Sequence, residues 1–302
     1  MESLFYFNCC PPLMQVSRRH HYIPQFLIKN FADADGMLYL LDKQTGRIAK
    51  QRQSPKAILF EMDRNTVLFH GQPKDHLEAL YAALDDKAAA DLQNVLLSRK
   101  ASLEEVVSIV ALASSLKWRI PASDPQFGRL KEELSLADLK AEIRPIDQAN
   151  PVDLNALNQL VDSDAIKEAK RILLPLLPLF DENKLTDIHA SWFIHSQPDE
   201  RFPSVIGDCP VLERPNADYS KLEDFIFPLS ATDTFIYKHG AQKRIKSPIF
   251  TIQKDLATLH YSTRYVACMS KTHLETIMQM YSVMQAQNQV EKLTELLFDF
   301  IA

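Results

Sequence analysis

Glycine is the residue that most constrains this chain. There are six in 302 residues, and no two lie closer than the ten positions between Gly36 and Gly46, whereas ordinary usage of ~7% would give about 21. A phosphate-cradling GxGxxG turn, a Walker A loop and a G-x-S-x-G nucleophile elbow each need two glycines within about seven positions, because only a residue without Cβ lets the backbone turn tightly against a phosphate or oxyanion. All three are therefore excluded. What remains is a chain that must build its turns and any site from residues with side chains.

At 46% apolar and 24% charged the sequence belongs with ordinary globular proteins and allows one large domain or two small ones. The net charge of −5 advertises no extended surface for nucleic acid or anionic membrane. The sign is uneven, however. Lys43, Arg47, Lys50, Arg52 and Lys56 fall in a stretch without an acidic residue, and Arg18, Arg19, His20 and His21 form a second basic run upstream. A local anion site is permitted in the N-terminal third, although charge runs usually belong to exposed faces. Cys9, Cys10, Cys209 and Cys268 make no C-x-x-C pair, which favours a reducing compartment. The opening stretch carries Glu2 and is interrupted by Pro11-Pro12, so neither a signal peptide nor a membrane span fits and a cytoplasmic location is expected. Residues 1–16 read as a disordered extension.

Strands come first along the chain. Met37–Leu41 and Arg47–Lys50 flank Asp42-Lys43-Gln44-Thr45-Gly46 as a β-hairpin, which Ile58–Phe60 and Thr66–Phe69 extend. From Pro73 onward Leu77, Leu80, Tyr81, Leu84, Ala88, Leu92, Val95 and Leu96 trace one helical face. Ser102 with Glu105 is a capping box opening an apolar, buried helix that runs to Trp118 and stops before Pro121. Asn150-Pro151 opens another helix and Ser163 caps one more, ended by Pro175 and Pro178. Alternation over Ile188–His195 predicts a strand, followed by strands at Ser204–Ile206, Phe225–Phe227, Thr234–Lys238 and Tyr265–Met269. Helices at Thr272–Gln285 and Gln289–Ile301 close the chain. Strands and helices segregate without a βαβ rhythm, so the class is α+β: a small N-terminal sheet, central helices, then mixed strands and closing helices. One domain over 17–302, with a helical insert around 102–180, is the simplest organisation.

Chemistry is sparse. None of the nine histidines are spaced four apart on a helix, so the H-E-x-x-H zinc motif is absent. On one extended strand His189 and His195 would sit about 20 Å apart and could not share a metal without a bend. One cluster stands out, Arg18-Arg19-His20-His21-Tyr22-Ile23-Pro24-Gln25-Phe26-Leu27, running on to Asn30-Phe31. Two imidazoles beside two guanidiniums, before an extended X-Pro segment, can bind an anion and move a proton near neutral pH. The competing assignment is a docking segment, with Tyr22, Phe26, Leu27 and Phe31 buried and the histidines holding backbone groups.

These residues resemble a bacterial family grouped under a domain-of-unknown-function label, whose members open with His-Tyr-Val-Pro-Gln-Phe followed by Leu-x-Asn-Phe. Here the match is His21 to Phe26 and Leu27 to Phe31. Arg119-Ile120-Pro121 is similar to an Arg-x-Pro that ends a buried helix in that family. Gly207-Asp208-Cys209-Pro210-Val211 is similar to a Ser-Asp-Asn-Pro-Val turn, with glycine in place of serine at 207 and cysteine in place of asparagine at 209. The resemblance implies no assigned activity, but it draws Asp208 and Arg119 to notice. Asp208 sits at a strand end, where loops carry sites on a rigid scaffold, or else caps its own turn. Arg119 aims its fork at a phosphate or carboxylate, or else complements the negative end of its helix.

Two functions compete on this basis. In the first, His21, Arg119 and Asp208 converge on a polar pocket that hydrolyses a phosphoester in a nuclease-like reaction. His21 acts as general base or divalent-metal ligand, Asp208 orients it or binds a metal, Arg119 neutralises the anionic substrate, and Arg18, Arg19, His20, Arg47 and Ser230 contact it. In the second, the protein is a non-catalytic module, with His21 to Phe31 a structural latch and the basic hairpin binding a protein, a nucleic acid or another phosphate-bearing ligand. A thiol enzyme using Cys209 needs a neighbouring histidine and positive potential.

Overall fold

A computed structural model describes residues 18–69, 72–142, 163–197, 201–214 and 223–302. The expected 1–16 extension and the helix expected at Asn150-Pro151 lie outside the described residues. The first strand, β1 (Arg19–His21), runs through Pro24 into the one-turn-and-a-half helix α1 (Gln25–Lys29). The X-Pro segment is thus extended only as far as the proline, and Gln25 begins a helix because proline fixes φ at a value suited to a first turn. The hairpin of β2 (Tyr39–Asp42) and β3 (Arg47–Ile48) forms at the expected place, with Gly46 at φ +64° in its turn. Asp42 also fastens that turn, its carboxylate accepting the N–H groups of Gln44 and Thr45.

The two segments expected to extend the hairpin do not do so. The first, β4 (Phe60–Met62), pairs antiparallel with β1, and β5 (Val67–Phe69) pairs with β6 (Gln72–Lys74). Short strands carry little register information, and here Tyr22 N–H bonding to Leu59 O prolongs the β1–β4 ribbon instead.

Helix α2 (His76–Ser98) ends with Arg99 in the left-handed region, at φ 58°. It turns back into α3 (Leu103–Arg119), which opens on the expected capping box. Glu105 N–H donates to Ser102 Oγ at 3.2 Å and Ser102 N–H to the Glu105 carboxylate at 2.7 Å. Beyond them lie α4 (Asp124–Glu133), α5 (Asp164–Leu173), which is capped by Ser163 as expected, and α6 (Glu182–Ser191). The strand expected over Ile188–His195 needs correction. Ile188 to Ser191 finish α6, and only β7 (Trp192–Ser196) is extended. Asp181 accepts the Lys184 N–H and starts that helix, so a short alternating run was carried into helix by its cap. His189 and His195 consequently sit on different elements.

The remaining strands are β8 (Ile206–Gly207), β9 (Leu212–Glu213), β10 (Phe225–Pro228), β11 (Asp233–Tyr237) and β12 (Tyr265–Cys268). They form two four-stranded antiparallel sheets, ordered β7-β11-β10-β9 and β3-β2-β12-β8. Between and after them come α7 (Phe250–Tyr261), α8 (Lys271–Ala286) and α9 (Leu293–Asp299). The fold class is α+β. Nothing in the sequence pattern marked α7, because it is apolar or buried almost all round and shows no amphipathic stripe.

Both faces of the sheets are covered. Phe225, Phe227, Phe235, Tyr237 and Ala267 pack on α2, α3 and the N-terminal segment, while Ile226, Ile236, Val266 and Cys268 pack on α7, α8 and α9. Strands buried on both sides read as continuous apolar runs, which is why Phe225–Pro228 and Asp233–Tyr237 have no exposed residue. Tyr22, Ile23, Leu27, Ile28 and Phe31 belong to the first of these layers, four of them with no exposed surface. Each such side chain contributes about 1.5–3 kcal/mol gross, so the His21–Phe31 segment is part of the core.

Candidate functional site

The β1–β4 ribbon presents both histidines inward. His20 accepts the Asn65 N–H at Nδ1 (2.8 Å), and Asn65 Nδ2 in turn donates to the Glu78 carboxylate of α2 at 2.7 Å. Nδ1 of His21 lies 3.3 Å from the side-chain amide nitrogen of Gln25. Nε2 is buried and makes no hydrogen bond of full geometry, and the backbone carbonyls of Lys56 and Pro55 are the polar groups that face the ring. Burial pushes the His21 imidazole below its ordinary value, and the positive Arg119 adds to this. The carbonyls of Lys56 and Pro55 and the charge of Glu78 work the other way.

Arg119, at the last position of α3, is 2% exposed. Its Nη1 donates to both oxygens of Asp85 (2.9 and 2.8 Å), and its guanidinium carbon lies 4.4 Å from the centre of the Tyr81 ring. Glu78, Tyr81 and Asp85 recur at three and four positions along α2 and so share one face. Burial raises the Tyr81 hydroxyl to about 12 despite the nearby cations of Arg119, Arg171 and Arg64. It also raises the Asp85 carboxyl, against the pull of Arg119 and with help from Glu78 and Asp86. Arg64 and Arg171 both pair with Asp124. Two buried polar atoms here, Tyr81 Oη and Arg119 Nε, lack partners among the described residues. Each costs about 1–3 kcal/mol if left dry.

Asp208 follows β8 and is anchored elsewhere. Its Oδ1 accepts Thr263 N–H (2.8 Å), and its Oδ2 accepts Thr263 Oγ1–H, Arg264 N–H and Tyr265 N–H at 2.9, 2.7 and 2.9 Å. None of these bonds reaches His21. Within electrostatic reach of Asp208 lie Lys43, Cys209 and Tyr22, and the Tyr22 hydroxyl is pushed well above the ordinary range by burial and by that carboxylate. The chain bends after β1, so that His21 lies within electrostatic reach of Arg119 and Tyr22 within that of Asp208. The Cys209 thiol is pushed up to about 12 by burial and by Asp208, and positive potential is not what surrounds it.

The accompanying residues are dispersed. Arg18 pairs with Asp63 at 2.8 Å on the surface, and Arg19 lies 5.0 Å over the Phe60 ring. Arg47 is exposed on the hairpin. Ser230 closes a turn, accepting the N–H groups of Thr232 and Asp233, and the adjoining Ala231 N–H bonds Asn30 O at the end of the N-terminal segment. Among the described residues no three His, Cys, Asp or Glu side chains gather as a metal site.

Sequence reasoning missed Tyr81 as anything but a core position, although its place one turn from Glu78 and Asp85 was legible. It also missed a second buried cluster. Lys254 of α7, 1% exposed, meets the Ser204 hydroxyl, lies 3.3 Å from Asp255 and reaches Thr234 Oγ1 at 3.4 Å, while Asp255 Oδ2 holds His273 Nε2 at 2.8 Å. These residues come from a loop, a strand and two helices, and no spacing announces them.

Fold and interior together define an α+β protein in which a histidine-led N-terminal segment is built into the core, with the Arg119–Asp85 pair buried between α2 and α3. The chain belongs to the DUF4238 family, proteins of unknown function, whose family model matches residues 19–258. No curated protein and no solved structure gives a significant match. Among the described residues no helix is long and apolar enough to cross a membrane.

Proposed function

We propose that this protein is a non-catalytic interaction module, with His21–Phe31 as a structural latch and the basic 43–56 hairpin as the contact for a phosphate-bearing partner such as a nucleic acid. The commitment of Asp208 to four hydrogen bonds with 263–265 carries this reading. A carboxylate so occupied is not available to orient His21 or to hold a metal. Within the hairpin Lys43 is also spent, since its ammonium donates to the Leu259 and His260 carbonyls at the end of α7 (2.5 and 3.1 Å). Arg52 is paired with Asp33 and with Asp35. Arg47, Lys50 and Lys56 remain as exposed cations. Fluorescence anisotropy with short single- and double-stranded DNA and RNA tests the proposal. Binding that weakens with salt at a slope near −2 to −3, and is lost in the triple alanine variant of 47, 50 and 56, is expected from about three phosphate contacts. Binding indifferent to that variant would refute it.

Phosphoester hydrolysis of a nuclease type is the second reading, favoured by one observation: the buried His21 imidazole lies within electrostatic reach of Arg119. A nuclease and phosphatase panel with Mg²⁺, Mn²⁺ and Zn²⁺ decides it. Turnover abolished by His21→Ala in a folded protein would establish hydrolysis in place of the module.

A further inference from the structure

We propose that the outer edge of β7 is a self-association site, at which two copies of this chain pair antiparallel about a two-fold axis and join their sheets. The order β7-β11-β10-β9 leaves β7 with a strand partner on one side only. Gln197 N–H donates to Thr232 O at 2.7 Å, so the backbone of 197 faces β11. Facing alternates along an antiparallel strand, which turns the backbone groups of Phe193 and His195 to β11 and those of Ile194 and Ser196 outward. The outward N–H and C=O groups have no hydrogen-bond partner among the described residues. Trp192 turns its carbonyl the same way, its own N–H being taken by Ile188 O. The proposal does not depend on the interaction-module reading, since the basic hairpin belongs to the other four-stranded sheet.

An open edge is a template for a further strand, and proteins ordinarily shorten it, charge it, bulge it or cover it. The other three edges of the two large sheets are two residues long, and those of β3 and β9 carry Arg47 and Glu213. β7 has five residues and none of these guards, since Trp192-Phe193-Ile194-His195-Ser196 holds no Lys, Arg, Asp, Glu or Pro. Its two faces are fixed from within, Trp192 stacking on Phe235 at 5.4 Å and His195 meeting the Phe250 ring edge-on at 5.2 Å, so pairing costs little further ordering. A second copy is the occupant that suits this edge. Two-fold pairing sets each strand against its own kind, which like charges would oppose, and in a protein of net charge −5 this neutral strand escapes that repulsion. With Ile194 on the axis, its N–H and C=O exchange two hydrogen bonds with their twins, and each Ser196 N–H meets the partner's Trp192 carbonyl. The half-buried Trp192 and Ile194 side chains lose further exposure in the same step. A strand of this length spans about 17 Å and buries less than the roughly 800 Å² per partner of a standard interface, so the dimer is weak, with a dissociation constant on the order of micromolar or above.

Sedimentation velocity of the full chain from ~1 to ~300 μM, a range chosen to span a micromolar dissociation constant, tests the proposal together with residue-resolved hydrogen–deuterium exchange at both ends of the range. A reversible monomer–dimer equilibrium is expected. The Ile194 and Ser196 amides should exchange freely in the dilute sample and about fivefold more slowly in the concentrated one, while those of Phe193 and His195 stay protected in both. Ile194→Lys sets two ammonium groups together at the axis and should weaken dimerisation by about tenfold or more, in a protein that keeps the wild-type circular dichroism. The exchange measurement needs no variant, so it decides the question even where Ile194→Lys fails to fold. A chain that stays monomeric throughout would overturn the proposal and leave a foreign extended peptide as the occupant of the edge. A dimer whose Ile194 and Ser196 amides exchange as fast as in the monomer would overturn it in favour of another face. Edge amides already protected in the dilute monomer would overturn it by showing that the edge is covered within the chain.

Discussion

Asp208 and Thr263, 55 residues apart, are joined twice: the Thr263 N–H donates to Oδ1 and its hydroxyl to Oδ2. With the Arg264 and Tyr265 N–H groups on the same carboxylate, one side chain closes the turn between α7 and β12. Asp208→Ala would leave three backbone donors without their acceptor, and a loss of about 3 kcal/mol in urea denaturation is expected. A variant as stable as the wild type would show that the loop does not depend on this carboxylate.

Gly207 stands where the turn of the resembled proteins has serine, and the structure supplies the reason. A Cβ at this position would lie 2.1 Å from Ser262 Oγ and 3.1 Å from Thr258 Cγ2. Ser262 Oγ is itself held by the Thr258 carbonyl at 2.7 Å. Gly207→Ala should therefore cost about 1–3 kcal/mol, and adding Ser262→Ala should recover part of it. Thermal unfolding of the single and double variants measures the coupling, and strictly additive losses would contradict the steric account.

Removing Asp255 should be more severe than removing either of its partners. Lys254 and Asp255 have side chains 1% and 0% exposed, and His273 shares the same carboxylate. Asp255→Asn leaves a buried ammonium uncompensated, with an expected cost of about 3–5 kcal/mol, whereas Lys254→Met with Asp255→Leu removes both charges and should recover most of it. Chemical denaturation of the two variants provides the comparison, and equal losses would refute the pairing.

Stability should fall on mild acidification. Burial holds the imidazoles of His21, His195 and His260 below 6.5. Between that value and the lower folded ones the unfolded chain binds more protons, so stability rises with pH there. The contribution is complete above about 6.5 and is lost as pH drops through the folded values. Asp85 and Glu213, raised by burial, act with the opposite sign, so His21→Gln and His195→Gln are needed to isolate the histidines. Urea midpoints from pH 7.5 to 5 should decline in the wild type and flatten in these variants. A slope unchanged by both substitutions would remove His21 and His195 as its cause.

Local rules made much of the fold legible. The Ser102–Glu105 box, the Asp42–Gly46 turn and the three-and-four spacing of α2 act within a few residues, and each forms where the pattern puts it. The Ile188–His195 alternation misled because Asp181, seven residues upstream, starts a helix that runs through its first half. The partners of Phe60–Met62 and Val67–Phe69 were not legible, since nothing in a three-residue strand says which edge it joins. Of the candidate site, the sequence pointed to His21 and Arg119 but gave Asp208 a place beside them that the backbone denies it.

By itself, then, the sequence determined the absence of glycine-built phosphate loops, the α+β class and the local caps and turns, because these follow from composition and short-range periodicity; it left His21–Phe31 between a reactive cluster and a buried docking segment. Only the tertiary structure decided which side chains share an interior. Contacts between residues far apart in the chain leave no local signal: packing of the N-terminal segment on α2 and α3 brought His21 within electrostatic reach of Arg119 and Glu78 and Tyr22 within that of Asp208, and fixed the Asp208 carboxylate on the 263–265 turn.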